Sequence, residues 1–100
     1  NVFIQLKKVE IIVAMIMTQK IIRVIDDLKL SGYSIIQNVI GRGVHGTCDA
    51  QEVTDVLSNN CILVLCTQEE AQKLLQEIAP ILEKYGGICY MSDVQKLKLH

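Results

Sequence analysis

No Cys-x-x-Cys pair occurs among these 100 residues, although the chain carries four cysteines, Cys48, Cys61, Cys66 and Cys89. That absence speaks against a zinc-ribbon or disulfide framework. Three of the four fall in segments that read as strands, where cysteine behaves as a small buried hydrophobe. Cys61 and Cys66 are five positions apart, so an intact strand turns them to opposite faces and they share no metal there. An excess of basic charge is missing too: ten Lys and Arg stand against eleven Asp and Glu, for a net charge of -1. Without a concentrated basic face there is no general attraction to nucleic acid or to an anionic membrane. Long hydrophobic runs are also lacking. The apolar stretch Ile11 to Met17 is too short to span a bilayer, and Asn1 to Glu10 lacks the charged, apolar, then small-residue plan of a secretion signal. The expectation is a cytoplasmic protein with no direct membrane insertion.

What is there is a plan stated twice. An apolar run ending at Met17 leads into Thr18-Gln19, a helical segment and a Gly-Tyr strand. Ile62 to Cys66 then leads into Thr67-Gln68, a second helical segment, Gly86-Gly87 and a strand around Tyr90. Two strand-helix-strand units describe an α+β, ferredoxin-like βαββαβ domain, with an antiparallel sheet and both helices on one face. Residues 1–100 read as a single domain. Half of them are hydrophobic, enough for a core, although so small a domain gains from oligomerisation.

Local signals set the expected boundaries. Val9 to Met17 is nearly all apolar and reads as a central strand. Thr18 is expected to cap the next helix, whose apolar stripe is Ile21, Ile22, Ile25 and Leu28, and Gly32 is expected to end it in the left-handed conformation. Tyr33 to Ile40 reads as the second strand. Thr67 and Glu70 have the spacing of a capping box, and Ala71, Leu74, Leu75, Ile78, Ile81 and Leu82 line the buried face that follows. Pro80, the only proline, removes one N–H and crowds the preceding turn, so a kink or restart is expected there. Ile88 to Met91 forms the last strand, and Val94 to Leu99 is expected to extend it along the sheet edge, with Lys96 and Lys98 outward.

The fold hosts several chemistries, and missing residues narrow them. The predicted central strands carry no aromatic side chain on which an RNA base would stack. Met15-Ile16-Met17-Thr18 stands where a metal carrier of this topology holds paired cysteines. A small phosphatase needs an arginine in that loop, and none appears before Arg23. No spacing pairs a nucleophile with a base, so an enzyme is not expected.

The segment joining the halves, 41–60, is the least core-like. It opens with Gly41-Arg42-Gly43: glycines admit close approach of backbone N–H groups to an anion, and arginine grips a phosphate in a fork. The same glycines also simply mark turns. Asp49 and Glu52, followed by Val53, Val56 and Leu57, suggest a turn or two of helix with an apolar stripe that packs on the body or meets a partner. His45 and Cys48 are the metal-ligand candidates. Zinc prefers preorganised nitrogen and sulfur ligands, and one histidine with one cysteine falls short of that set, so no metal is expected.

With the duplicated plan, Gly32-Tyr33-Ser34 and Gly41-Arg42-Gly43 in view, the chain resembles the PII-like signalling proteins from about Lys8 to Met91. The resemblance implies a homotrimer that binds adenine nucleotides in clefts between subunits and engages a membrane transporter or metabolic enzyme through its long loop, here 41–60. It places Ser34 near the adenine and Gly41, Arg42 and Gly43 along the nucleotide. Gly86 and Gly87 stand where a second phosphate-binding loop lies. Classical nitrogen-regulatory members carry a Gly-Asp-Gly-Lys run there, whereas Tyr85-Gly86-Gly87-Ile88 passes directly into a strand. The chain is therefore nearer the compact group associated with bicarbonate uptake and carboxysomes, and the implied ligand is ADP, AMP or a cyclic nucleotide. Two alternatives remain open: a trimeric metal-responsive or metal-tolerance protein using His45 and Cys48, and a ligand-free scaffold that captures a partner on Val53, Val56 and Leu57.

Overall fold

The computed structural model describes residues 2–40 and 59–99. Strand β1 (Phe3–Ala14) passes through a short 3-10 turn (Met15–Met17) into helix α1 (Thr18–Asp27) and then strand β2 (Ser34–Gln37). Strand β3 (Asn59–Cys66), helix α2 (Gln68–Tyr85) and strand β4 (Ile88–Leu97) repeat the pattern. The four described strands form one antiparallel sheet in the order β2-β3-β1-β4, so the expected α+β, ferredoxin-like fold is what the chain adopts.

Alternation along β1 and β3 decides where the core lies. Val9, Ile11 and Val13 stand opposite Val64, Ile62 and Asn60, and residues directly opposite in an antiparallel pair share a face. On that face Val9, Ile11, Val13, Ile62, Val64 and Cys66 meet Ile21 and Ile25 of α1 and Ala71, Leu74 and Ile78 of α2. Each fully buried isoleucine or leucine contributes roughly 1.5–3 kcal/mol. Cys61, Leu63 and Leu65 belong to the opposite face with Ile12, Glu10 and Lys8, their partners in register. Cys61 and Cys66 thus point to opposite sides, as their spacing requires.

Several boundaries differ from the sequence expectation. Strand β1 begins at Phe3 and ends at Ala14, because residues 3–6 pair with the far end of β4 rather than with β3. Strand β4 is correspondingly one uninterrupted strand. Strand β2 is only four residues long, shorter than Tyr33 to Ile40, and Asn38 ends it at φ 59°. Gly32 does not terminate α1. Instead Lys29 takes the left-handed conformation at φ 57°, its N–H donating to Asp26 O (2.9 Å) and that of Leu30 to Ile25 O (3.3 Å). These are the two bonds of a Schellman motif, and Leu30 closes it by packing on the core.

Helix α2 is better capped. Thr67 Oγ1 accepts from Glu70 N–H (3.2 Å), while Glu70 Oε1 accepts from Thr67 N–H (2.9 Å), completing the capping box. The helix runs through Pro80 without a restart. Gln76, whose carbonyl would have accepted the missing N–H, and Pro80 itself are both exposed, so water can satisfy the orphan acceptor and the packed face is untouched.

Candidate functional site

Ser34 opens β2, opposite Leu63 of β3. Since β2 pairs with β3 no further along than Leu63, the β3 edge from residue 64 to 66 is left uncovered by β2. A depression of about 330 Å³ lies there, lined by Ser31, Gly32, Tyr33 and Ser34 on one side and by Leu63, Leu65 and Lys8 on the other. That volume is at the lower end of the roughly 300–1,000 Å³ of small-ligand sites. Its chemistry is mixed: leucine side chains for a flat apolar group, serine hydroxyls to donate and accept, and an ammonium for an anion. Lys8 Nζ is 3.2 Å from Glu10 Oε1, so part of its charge is already answered. An alanine Cβ at Gly32 would meet nothing within 4 Å, which leaves that wall open.

Gly86 and Gly87 lie at the other edge of the sheet. Gly86 caps α2, its N–H donating to Leu82 O (2.8 Å), and both glycines have positive φ, 89° and 126°. Gly87 packs against the Ile12 and Val13 stretch of β1. Strands β3 and β1 stand between β2 and β4, a separation of roughly 14 Å at the usual strand spacing. Within one chain, therefore, Ser34 and the Gly86-Gly87 turn belong to opposite edges of the sheet.

Gly41, Arg42 and Gly43, the metal candidates His45 and Cys48, and the stripe of Val53, Val56 and Leu57 all lie outside the described residues. Among the described residues, no group of three His, Cys, Asp or Glu side chains is placed to hold a metal ion. The thiols of Cys61, Cys66 and Cys89 are each pushed above their ordinary pKa, chiefly by burial, with Glu10 adding to the effect at Cys61 and Glu70 at Cys66. Protonated thiols of this kind are poor nucleophiles and poor ligands.

Sequence reasoning missed Lys8, Leu63, Leu65 and Ser31. Lys8 and Leu65 are adjacent only through β1–β3 register, information that no local motif carries. Ile62 to Leu65 is apolar at every position, so strand period alone puts Leu63 and Leu65 on the face opposite Ile62 and Val64 without saying which face is covered.

The family model described as nitrogen regulatory protein P-II matches residues 6–100. Among solved structures, the chain is similar to CPII, a nitrogen regulatory PII-like protein from Thiomonas intermedia K12, bound to ADP, AMP and bicarbonate. The two share 24% identity and a TM-score of 0.81 over 98% of this chain and 99% of that one. The same protein bound to ADP and bicarbonate is 26% identical with a TM-score of 0.79, over 96% and 92% of the two chains. A Thermus thermophilus protein described as PII-like is 20% identical with a TM-score of 0.75, over 97% and 94%. No curated protein sequence matches the chain.

Proposed function

The chain belongs to the nitrogen regulatory protein P-II family, and from that premise we propose that it is a regulatory protein, not an enzyme, that senses an adenine nucleotide. The nucleotide is held in clefts between the subunits of a homotrimer, and the joining segment, expected over 41–60 but bounded by β3 from Asn59 onward, carries the signal to a membrane transporter or metabolic enzyme. The observation that carries this reading is the placement of its candidate residues. Ser34 with its depression and the Gly86-Gly87 turn belong to opposite edges of one sheet, and in the proposed ring the β2 edge of one protomer would meet the β4 edge of the next. The leucine floor offers a surface for a purine. Ser34 supplies the directional hydrogen bond and Lys8 offsets phosphate charge, a role that the resemblance also gives to Arg42. The ADP and AMP bound by the Thiomonas protein support the choice of a small adenine nucleotide.

Ligand-dependent ordering of a segment is a familiar switch, and the candidate segment lies in the chain between β2 and β3, with Asn59 and Asn60 themselves part of β3. Calorimetric titration with ATP, ADP, AMP, cyclic AMP and cyclic di-AMP, with the mass in solution measured in parallel, tests the proposal. Selective micromolar binding of ADP or AMP by a trimer is the expected result. A trimer blind to all five nucleotides overturns the sensor reading, and a monomer removes the intersubunit site.

A further inference from the structure

Strand β2 positions Ser34, yet little in its own sequence fixes its register. It has four residues, all with exposed side chains, and its two isoleucines are consecutive, so either face receives one of them whichever way the strand slips. Register is weakly specified when the apolar pattern does not alternate, and a slip of one residue turns every side chain to the other face. Such a slip would take Ser34 away from Leu63 and out of the depression.

A polar residue stands where the pattern calls for an apolar one. Asn60 is on the helix-covered face of β3, in line with Ile62, Val64 and Cys66 and opposite both Val13 and Gln37, and only 5% of it is exposed. Its Nδ2 donates to Thr18 Oγ1 at 3.0 Å, and its Oδ1 accepts from the Asn38 N–H at 3.4 Å. Thr18 is itself 6% exposed; it is the first residue of α1, and its hydroxyl serves Asn60 rather than the expected cap. Beyond Asn38, the Val39 N–H donates to Asn59 O at 2.9 Å, so the end of β2 stays tied to β3 past the left-handed residue. Among the described residues no buried side-chain nitrogen or oxygen lacks a partner.

We propose that Asn60, oriented by Thr18, is a positioning residue that pins β2 in register on β3 and thereby holds Ser34 in the depression beside Leu63. A one-residue slip would leave the Asn60 side chain without its Asn38 partner in a dry site, and a half-satisfied buried amide is costly. The pin therefore acts against the alternative registers more than it adds to the native one. An apolar residue of similar size at position 60 would keep the core filled and lose the discrimination.

This inference deepens the nucleotide-site reading, and its test separates the two. In Asn60→Leu, the cross-strand nuclear Overhauser contacts between Ser34 and Leu63 are expected to weaken or split. Amide exchange over residues 34–37 should accelerate at least tenfold, while the α2 amides keep their wild-type protection. If the wild-type protein binds ADP, the variant should bind it at least tenfold more weakly; if the wild type binds none, the nucleotide reading fails and the β2 measurements still decide the pin. Should Asn60→Leu unfold the protein, Thr18→Val and Thr18→Ser serve instead, with Ser expected to retain wild-type exchange at 34–37 and Val to lose it. Unchanged Ser34–Leu63 contacts and unchanged β2 exchange in the folded apolar variant would overturn the proposal.

Discussion

Gly87 lies so close to Ile12 that a Cβ built on it would stand 3.0 Å from the Ile12 carbonyl oxygen, with Leu82 Cδ2 at 2.8 Å and Val13 Cγ1 at 3.0 Å. Its φ of 126° is a conformation that other residues rarely adopt. Gly87→Ala combines backbone strain with overpacking and is expected to destabilise the protein by about 2–4 kcal/mol. Gly32→Ala, with nothing within 4 Å of the added methyl, should change stability by less than about 1 kcal/mol. Urea unfolding of the two variants checks the contrast. Equal losses would mean that β1 gives way to the methyl group more easily than its carbonyl suggests.

At the end of α1 the strain runs the other way, because a lysine occupies a position that glycine usually fills. Lys29 holds a φ of 57° so that the Schellman bonds to Asp26 and Ile25 can form. A left-handed backbone costs an L-residue about 1–2 kcal/mol. Lys29→Gly relieves that strain and gives up some of the gain to the greater entropy of an unfolded glycine, so a net stabilisation of roughly 0.5–1 kcal/mol is expected. Chemical denaturation reads it directly; a loss of stability would show that Lys29 contributes through its side chain.

Lys29 also shows why the sequence was legible in some places and not in others. The capping box, the core stripe of α2 and the antiparallel α+β plan depend on spacing within a few residues, and Thr67, Glu70, Leu74 and Ile78 declare them locally. At the C-terminus of α1 Gly32 is the obvious terminator in sequence, whereas the actual stop depends on Leu30 finding the core. Thr18 departs from the expected cap for a similar reason: its hydroxyl is claimed by Asn60, which is 42 positions away. Of the nucleotide-site candidates, Ser34 does line a depression, but its partners Lys8, Leu63 and Leu65 come together only through strand register.

The partly buried thiol of Cys89 should leave a mark on the pH dependence of stability. Burial pushes it up to about 11 from an ordinary value of 9.0. The folded protein thus keeps the proton to higher pH than the unfolded chain, which ionises first. The stabilisation is complete below about pH 9 and is lost as pH rises from there towards about 11. Cys89→Val removes this contribution, so the fall in urea midpoint across that window should be steeper for the wild type than for the variant. Parallel curves would mean that the thiol titrates normally in the folded state. Slow alkylation by iodoacetamide at about pH 8 is the companion expectation.

The ion pair beside the depression makes two predictions of opposite sign. Lys8 lines the cavity while its ammonium lies 3.2 Å from the Glu10 carboxylate. If the cavity takes the nucleotide, Lys8→Met removes an attraction for phosphate and should weaken ADP binding about tenfold, with a smaller effect on adenosine. Glu10→Gln frees the ammonium from its intramolecular partner and should strengthen ADP binding by a few-fold, most clearly at low salt, where exposed charges are least screened. Neither change should cost much stability, since half-exposed ion pairs of this kind contribute about 0–1 kcal/mol. Calorimetry with ADP and adenosine at two salt concentrations separates the possibilities. A loss of affinity in both variants would point to a structural role for the pair, and equal effects on ADP and adenosine would take the phosphate away from Lys8.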